Sequence, residues 1–221
     1  PTGMLRDYSA RFDGANDFIK IPDQASFDFT SKGYVGIGVV LRAFPPAEVT
    51  ILSRGTGTTS TRTFRLSYDP SVGDDGGWRL RMRDGSTDRV ATINDGDASN
   101  SKSQINAYRF IEVYYSGSGT DYTFGIKDGA GATVGSDATG ISVTTWLASP
   151  SLTYPWFLAC DSDLTTQSAF AACTLCEFRL FNGAAAPSFK GAYNRELTDA
   201  EAVTCVGYWK LNDGNGSTVT D

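Results

Sequence analysis

A chain of 221 residues with 24 glycines, 12% aromatic and only 20% charged side chains has the composition of one large Gly-turned β domain with a substantial core, not that of a disordered segment. A formal net charge of −6 argues against a general nucleic-acid binder. The complete lack of histidine excludes a histidine general base, a histidine zinc ligand and a Ser-His-Asp triad within this chain.

The strand signals follow one another closely, separated by turn clusters. YSARF (Tyr8–Phe12) leads through the turn DGAND into FIKIP, and SFDF then alternates apolar and polar as a further strand would. After SKG, the run YVGIGVVLRAF places Val35, Ile37, Val39 and Leu41 on one face until Pro45 and Pro46 break it. VTILSRG ends in the polar tip TGTTSTR, and TFRLSYD and GGWRLRMRDG alternate around the loop PSVGDDG. RVATI precedes the polar loop NDGDASNSKSQ, and RFIEVYYSG with DYTFGIKDG forms a hairpin. VGSDATGISV, PWFLACDSD and CTLCEFRLFNG complete the strands. One segment reads as helix: in NRELTDAEAVTCV, Thr198 and Glu201 make a capping box, with Leu197 placed to pack on Ala202. No stretch approaches the ~20 apolar residues of a membrane helix, so no membrane insertion is expected. No signal peptide is visible, and the chain starts at Pro1 without a methionine, so processing before Pro1 stays open.

Two stretches carry a family resemblance. YSARFDGANDFIKIPDQASFDFT has an apolar strand, "FDG", a polar turn, a second strand and then "PDQASFDFT". It resembles the motif that opens the conserved part of laminin-G-like, concanavalin-A-like jelly rolls. CEFRLFN followed by NRELTDAEAV resembles that family's late strand and helix, and the order and spacing match from Tyr8 to Val206. The resemblance implies an all-β fold, a concanavalin-A-like jelly-roll β-sandwich of two antiparallel sheets with one short helix near 198–206. One departure is the insertion GAAAPSFKGAY (Gly183–Tyr193), which reads as a surface loop with its own role. The laminin-G-like domain is expected over residues 1–206. The final stretch GYWKLNDGNGSTVTD (207–221) resembles that family's first strand and turn. It would open a following domain, complete the sheet of this one or join a neighbouring subunit. Because tandem arrays are common for such modules, the first is expected.

Retaining glycosidases need two carboxylates about 5 Å apart, which hydrolases of this fold supply on an E-x-D-x-x-E strand. The comparable strand here has Glu112 followed by Tyr114, so the chain is read as a non-enzyme. Cys173 and Cys176 form a C-x-x-C within a strand and so point to opposite faces; buried thiols, or one disulfide to Cys160 or Cys205, are expected rather than a metal site. Calcium is the cofactor such sandwiches often carry, held by loop carboxylates. Asp161 and Asp163 in CDSD lead the candidates, ahead of Asp95 with Asp97, Asp74 with Asp75, and Asp213 with Asn215, although all of these residue types are also ordinary turn formers.

For binding, Arg79, Arg81 and Arg83 alternate with Leu80 and Met82 and project from one sheet face, where Arg65 joins them. They form either a basic stripe for an anionic glycan or acidic protein surface, or a solvated face paired with acids across strands. Trp146, Tyr154 and Trp156 are the aromatics able to stack on sugars, Trp156 foremost, unless they are packed in the core. The resulting expectation is non-catalytic recognition of a glycan or protein surface, extracellular or on a virion, within a larger adhesive or virion assembly. The alternative is a purely structural module, such as a capsid-decoration, tail-fibre or filament subunit whose faces are taken up by its neighbours.

Overall fold

In the computed structural model, residues 9–28, 33–55, 62–73, 76–84, 87–94, 106–115, 122–137, 154–162, 166–182, 197 and 199–211 are described. Alternating apolar and polar side chains give them two antiparallel sheets with a shared core, the arrangement in which each sheet buries one face. The six-stranded sheet contains β2 (Ile19–Ile21), β4 (Val49–Gly55), β5 (Arg62–Asp69), β6 (Gly77–Asp84), β7 (Thr87–Asn94) and β11 (Trp156–Leu158), in the order β2-β11-β4-β5-β6-β7. The seven-stranded sheet contains β1 (Ala10–Arg11), β3 (Gly33–Leu41), β8 (Tyr108–Tyr115), β9 (Tyr122–Lys127), β10 (Thr133–Asp137), β14 (Cys173–Asn182) and β15 (Cys205–Trp209). Its order is β1-β14-β3-β8-β9-β10, with β15 also on β14. A small hairpin, β12 (Asp161–Ser162) with β13 (Gln167–Ser168), stands apart. The expected β8–β9 hairpin is present.

Val35, Ile37, Val39 and Leu41 enter the core together, as their spacing predicts. So do Leu80 and Met82, which leaves the intervening arginines on the outside. On β14 the period breaks. Leu175 pairs with Val39 and Glu177 with Gly38, so Cys176 is the extra residue of a β-bulge. The core-facing set therefore switches from Cys173 and Leu175 to Phe178 and Leu180. An aromatic chain ties the sheets together. Trp156 packs edge-on against Phe64 at 5.4 Å and Phe178 at 5.6 Å, Phe178 stacks on Trp209 at 5.2 Å, and Trp209 meets Phe27 at 6.0 Å. Such pairs add about 0.5–1.5 kcal/mol each beyond their burial.

Several expectations are corrected. The SFDF stretch is not a strand: Ala25–Phe27 forms a single 3-10 turn that buries Phe27. The short helix expected near 198–206 is present as α1 at Asp199–Ala202; Thr198 lies outside the described residues. Leu197 packs against a second apolar cluster of Tyr34, Phe110 and Phe181, on the outer side of the seven-stranded sheet, while Ala202 is exposed. Of the two alternatives for the cysteines the structure shows thiols and no disulfide among the described residues, with Cys160, Cys173 and Cys176 buried. The stretch after residue 206 does not begin something new at residues 207–211. β15 pairs with β14 (Trp209 opposite Phe178, Tyr208 opposite Arg179), and Trp209 and Leu211 lie in the core. β1 takes the other half of the same β14 edge, at Thr174 and Leu175. Residues 212–221 and the insertion at 183–193 lie outside the described residues. Among the described residues no helix is long and apolar enough to cross a membrane.

Candidate functional site

The strongest concentration of polar chemistry is the outer face of the six-stranded sheet. Register fixes two rows there. Ser53, Arg65, Arg81 and Val90 align across β4, β5, β6 and β7, and Thr50, Ser67, Arg79 and Thr92 align beside them. Glu48, just before β4, gathers the rows. Ser67 Oγ donates to its Oε1 at 2.6 Å, Arg81 Nη2 lies 3.2 Å from its Oε2, and Arg79 and Arg65 lie within 3.6 and 3.8 Å. Asp69 pairs with Arg79 and accepts from the Ser71 amide and hydroxyl at 2.8 and 2.6 Å. Arg65 Nε donates to Thr50 Oγ1 at 2.8 Å, and its Nη1 stands 3.6 Å from Asp161 Oδ2.

Two non-glycine residues with positive φ, Ala159 at 65° and Ala169 at 50°, bracket the β12–β13 hairpin that supplies Asp161. A left-handed alanine costs roughly 1–2 kcal/mol. Here it is held by neighbours: Ala171 N donates to Ala159 O, Thr50 N to Ala169 O, and Ser53 Oγ to Cys160 O. The strained backbone turns the chain out of β11 so that Asp161 faces Arg65.

Exposure separates two roles. The Arg81, Arg79 and Glu48 side chains are 27%, 20% and 20% exposed, whereas Arg65, Asp69 and Asp161 are at 9% or below. The first three meet solvent and the others form the frame beneath. Burial pushes the Asp69 carboxyl up, but the Ser71 hydrogen bonds and the Arg79 and Arg81 guanidiniums outweigh it and hold the carboxyl below its ordinary range. Arg79 Nε and Arg81 Nε have no hydrogen-bond partner among the described residues.

The arginines at 65, 79 and 81 are thus brought together as expected, but as a balanced network with Glu48, Asp69 and Asp161 rather than as a free basic stripe. The Arg83 side chain lies outside the described residues. The stacking expectation for Trp156 is corrected. Its ring is fully buried, and Arg54 stands over it at 5.6 Å, because β11 presents Trp156 to the core and Phe157 to the outside. Tyr154 is half-buried and its backbone oxygen accepts from Arg54 Nε; Trp146 lies outside the described residues. The outward aromatic is Phe157, itself covered by Phe18 at 6.2 Å, and Phe18 is 38% exposed. Asp163, the partner proposed for Asp161 in a calcium site, and the other loop candidates Asp74, Asp75, Asp95, Asp97, Asp213 and Asn215 all lie outside the described residues. Among the described residues no three His, Cys, Asp or Glu side chains group as a metal site requires. Glu112 lies on the other sheet, where it accepts from Tyr34 Oη at 3.1 Å and pairs with Lys127 at 2.8 Å.

Sequence reading missed Glu48, the hub of the face. It stands in the connection PPAEV, outside any alternating run, and only the fold brings it over β5 and β6.

No family model matches the chain, and no curated protein matches it by sequence. By structure it is similar to tailspike protein 2 of Escherichia coli O157:H7 bacteriophage CAB120, with a TM-score of 0.58 and 11% identity over 92% of this chain and 30% of that one. It is also similar to the CBM40 of the Ruminococcus gnavus IT-sialidase, with a TM-score of 0.56 and 13% identity over 89% of this chain and 96% of that one. The same CBM40 bound to α2,3 sialyllactose matches at 0.53 with 13% identity over the same shares. Domains LG4-5 of the mouse laminin α1 chain match at 0.47 with 12% identity over 78% of this chain and 40% of that one. The chain spans about a third of the length of the tailspike chains. At these identities the likeness shows the fold, an all-β jelly-roll sandwich, and nothing finer.

Proposed function

We propose that this chain is a non-catalytic recognition module that binds a glycan on the outer face of its six-stranded sheet. Arg79, Arg81 and Glu48 make the contacts, and Arg65, Asp69 and Asp161 hold them in place. The observation that carries this reading is the network around Glu48. It offers guanidinium donors and carboxylate acceptors side by side, fixed by register and by mutual pairing. Sugar hydroxyls both donate and accept, and charge-assisted hydrogen bonds to them are roughly twice as strong as neutral ones. A pre-ordered network spares the entropy of arranging long side chains on binding. Among the described residues three guanidiniums stand against three carboxylates, and this balance suits uncharged sugar units.

Catalysis is disfavoured by the same pairing. A glycosidase acid must hold a proton beside a second carboxylate, whereas Glu48, Asp69 and Asp161 each stand within ion-pairing distance of a guanidinium. The sialyllactose-bound neighbour and the phage tailspike are consistent with a glycan-binding role at an extracellular or virion surface, inside a larger assembly.

The test is a panel of neutral oligosaccharides titrated into the purified chain by calorimetry, with Arg81→Ala and Glu48→Gln in parallel. We expect at least one ligand, a loss of about tenfold or more in both variants as charge-assisted contacts are removed, and no release of reducing sugar. Binding that both variants retain in full would move the site off this face. Turnover would make the chain an enzyme. No ligand at all would leave the purely structural reading, a tail-fibre or decoration subunit, in its place.

A further inference from the structure

At one end of the seven-stranded sheet an open pocket of about 550 Å³ is lined by Arg11, Phe12, Asp13, Asp17, Arg42 and Ala172. That is within the roughly 300–1,000 Å³ of small-molecule sites. Its walls are fixed by backbone. β1 and β3 flank β14, and they carry Arg11 at the end of one and Arg42 just past the end of the other. Phe12 N donates to Cys173 O and Arg42 N to Ala172 O, both at 2.9 Å. The turn beside the pocket is hydrogen-bonded within itself. Asp13 Oδ1 accepts from Ala15 N at 2.7 Å and Asp17 Oδ2 from Asp13 N at 3.2 Å. Gly14 has φ +85° and is pressed so close to Ala172 that a Cβ would stand 2.9 Å from its nitrogen.

The charges here are arranged differently from those on the sheet face. Arg54, Arg65, Arg79, Arg81 and Arg179 each have a carboxylate partner. Arg11 and Arg42 have none among the described residues. The polar contact of the Arg42 guanidinium is Thr174 Oγ1 at 3.4 Å. Both guanidiniums therefore line the pocket without a carboxylate partner among the described residues, together with Asp13 and Asp17, whose second oxygens have no hydrogen-bond partner among those residues. An occupant that meets both walls needs one anionic group for the arginines and hydroxyl donors for the aspartates.

We propose that this pocket is a second saccharide subsite, selective for a sugar unit carrying an anionic group, carboxylate or sulfate. Arg11 and Arg42 take the anion, and Asp13 and Asp17 accept from neighbouring hydroxyls. The ligand class rests on the glycan reading above; the pocket itself does not share a residue with that face.

The experiment compares a uronate-containing disaccharide, a sulfated disaccharide and their neutral counterparts by calorimetry, on the whole chain and on Arg11→Ala/Arg42→Ala, Asp17→Asn and Arg81→Ala. We expect one or both acidic disaccharides to bind about tenfold or more tighter than the neutral ones, and that margin to shrink as salt is raised. The double arginine variant should keep the parent melting temperature and its neutral-sugar binding but lose the margin. Asp17→Asn should weaken acidic-sugar binding, and Arg81→Ala should lower neutral-sugar binding while acidic-sugar binding stays at the parent value. The carboxylate and sulfate arms identify which anion is preferred. Equal affinity for acidic and neutral ligands in the parent, or a margin that survives in the double variant, overturns the subsite. Acidic-sugar binding without any neutral-sugar binding would keep the pocket and overturn the sheet-face reading instead.

Discussion

Arg54 occupies a core register on β4, opposite Trp156 and Phe64, yet it is a guanidinium at 1% exposure. Its donors account for that position. Nη1 reaches Phe27 O at 2.9 Å, Nη2 pairs with Asp23 and Asp28 at 2.7 and 2.8 Å, and Nε reaches Tyr154 O at 3.2 Å. One side chain thus pins the 3-10 turn and the entry to β11 to the end of β4. Breaking a buried pair costs about 3–5 kcal/mol. Because Asp23 and Asp28 keep 17% and 18% exposure, water offsets part of their loss. We expect Arg54→Ala to destabilise by about 3 kcal/mol in urea melts, and a change below about 0.5 kcal/mol, the range of ordinary surface substitutions, would show the clamp to be dispensable. The Glu177–Arg179 pair is a comparable case on the other sheet. Both residues are 1% exposed, with Arg179 standing 4.9 Å over the Tyr208 ring.

Among the elements, β15 is the one whose place in the sheet matters most. Its Trp209 stacks on Phe178 of β14 and touches Phe27, so β15 contributes to the core of this domain. Trp209→Ala should cost about 3–5 kcal/mol, and deletion of 207–221 should abolish cooperative unfolding. An unchanged melting temperature after that deletion would return the strand to a separate unit. The β12–β13 hairpin carries the calcium question. With Arg65 3.6 Å from Asp161, a further cation gains little there. We therefore expect melts in calcium and in chelator to coincide, while a separation that Asp161→Ala abolishes would establish an ion at this hairpin.

For the molecule as a whole, proton linkage sets the pH limits of stability. Burial raises the Cys160 and Cys176 thiols to about 12 and lifts Cys173 further. Burial, followed by the Glu112 carboxylate, raises the Tyr34 phenol well above its ordinary value. Each group holds its proton more tightly folded than unfolded. Its contribution is complete below the unfolded value, about 8.5 for a thiol and about 10 for a phenol, and is lost as pH rises toward the folded one. Asp69 is shifted the other way. Its contribution is complete above about pH 3.9 and is lost as pH falls below that. Urea midpoints should therefore be level between about pH 5 and 8 and fall on both sides. A midpoint unchanged at about pH 10.5 would mean that these thiols and Tyr34 are not sealed from water.

What the sequence determined by itself was whatever depends on period and spacing. Val35, Ile37, Val39 and Leu41 share a face because a strand alternates with period two, and Arg79 and Arg81 lie opposite Leu80 and Met82 for the same reason. The all-β sandwich and the β8–β9 hairpin follow from those local rules. The tertiary structure decided what depends on residues distant in the chain. Glu48 meets Arg65, Arg79 and Arg81 because β4, β5 and β6 are laid side by side, and the pairing turns a run of arginines into a neutral network. Trp156 is buried rather than displayed because β11 lies between β2 and β4, with the other sheet packed over its inner face. The one-residue bulge at Cys176 re-phases β14 without any mark in its apolar pattern. GYWKL joins this sheet because the β14 edge beside Phe178 is open to it and Trp209 gains a stacked ring there. Local alternation fixes which side chains share a face; only the packing of sheet on sheet fixes what that face meets.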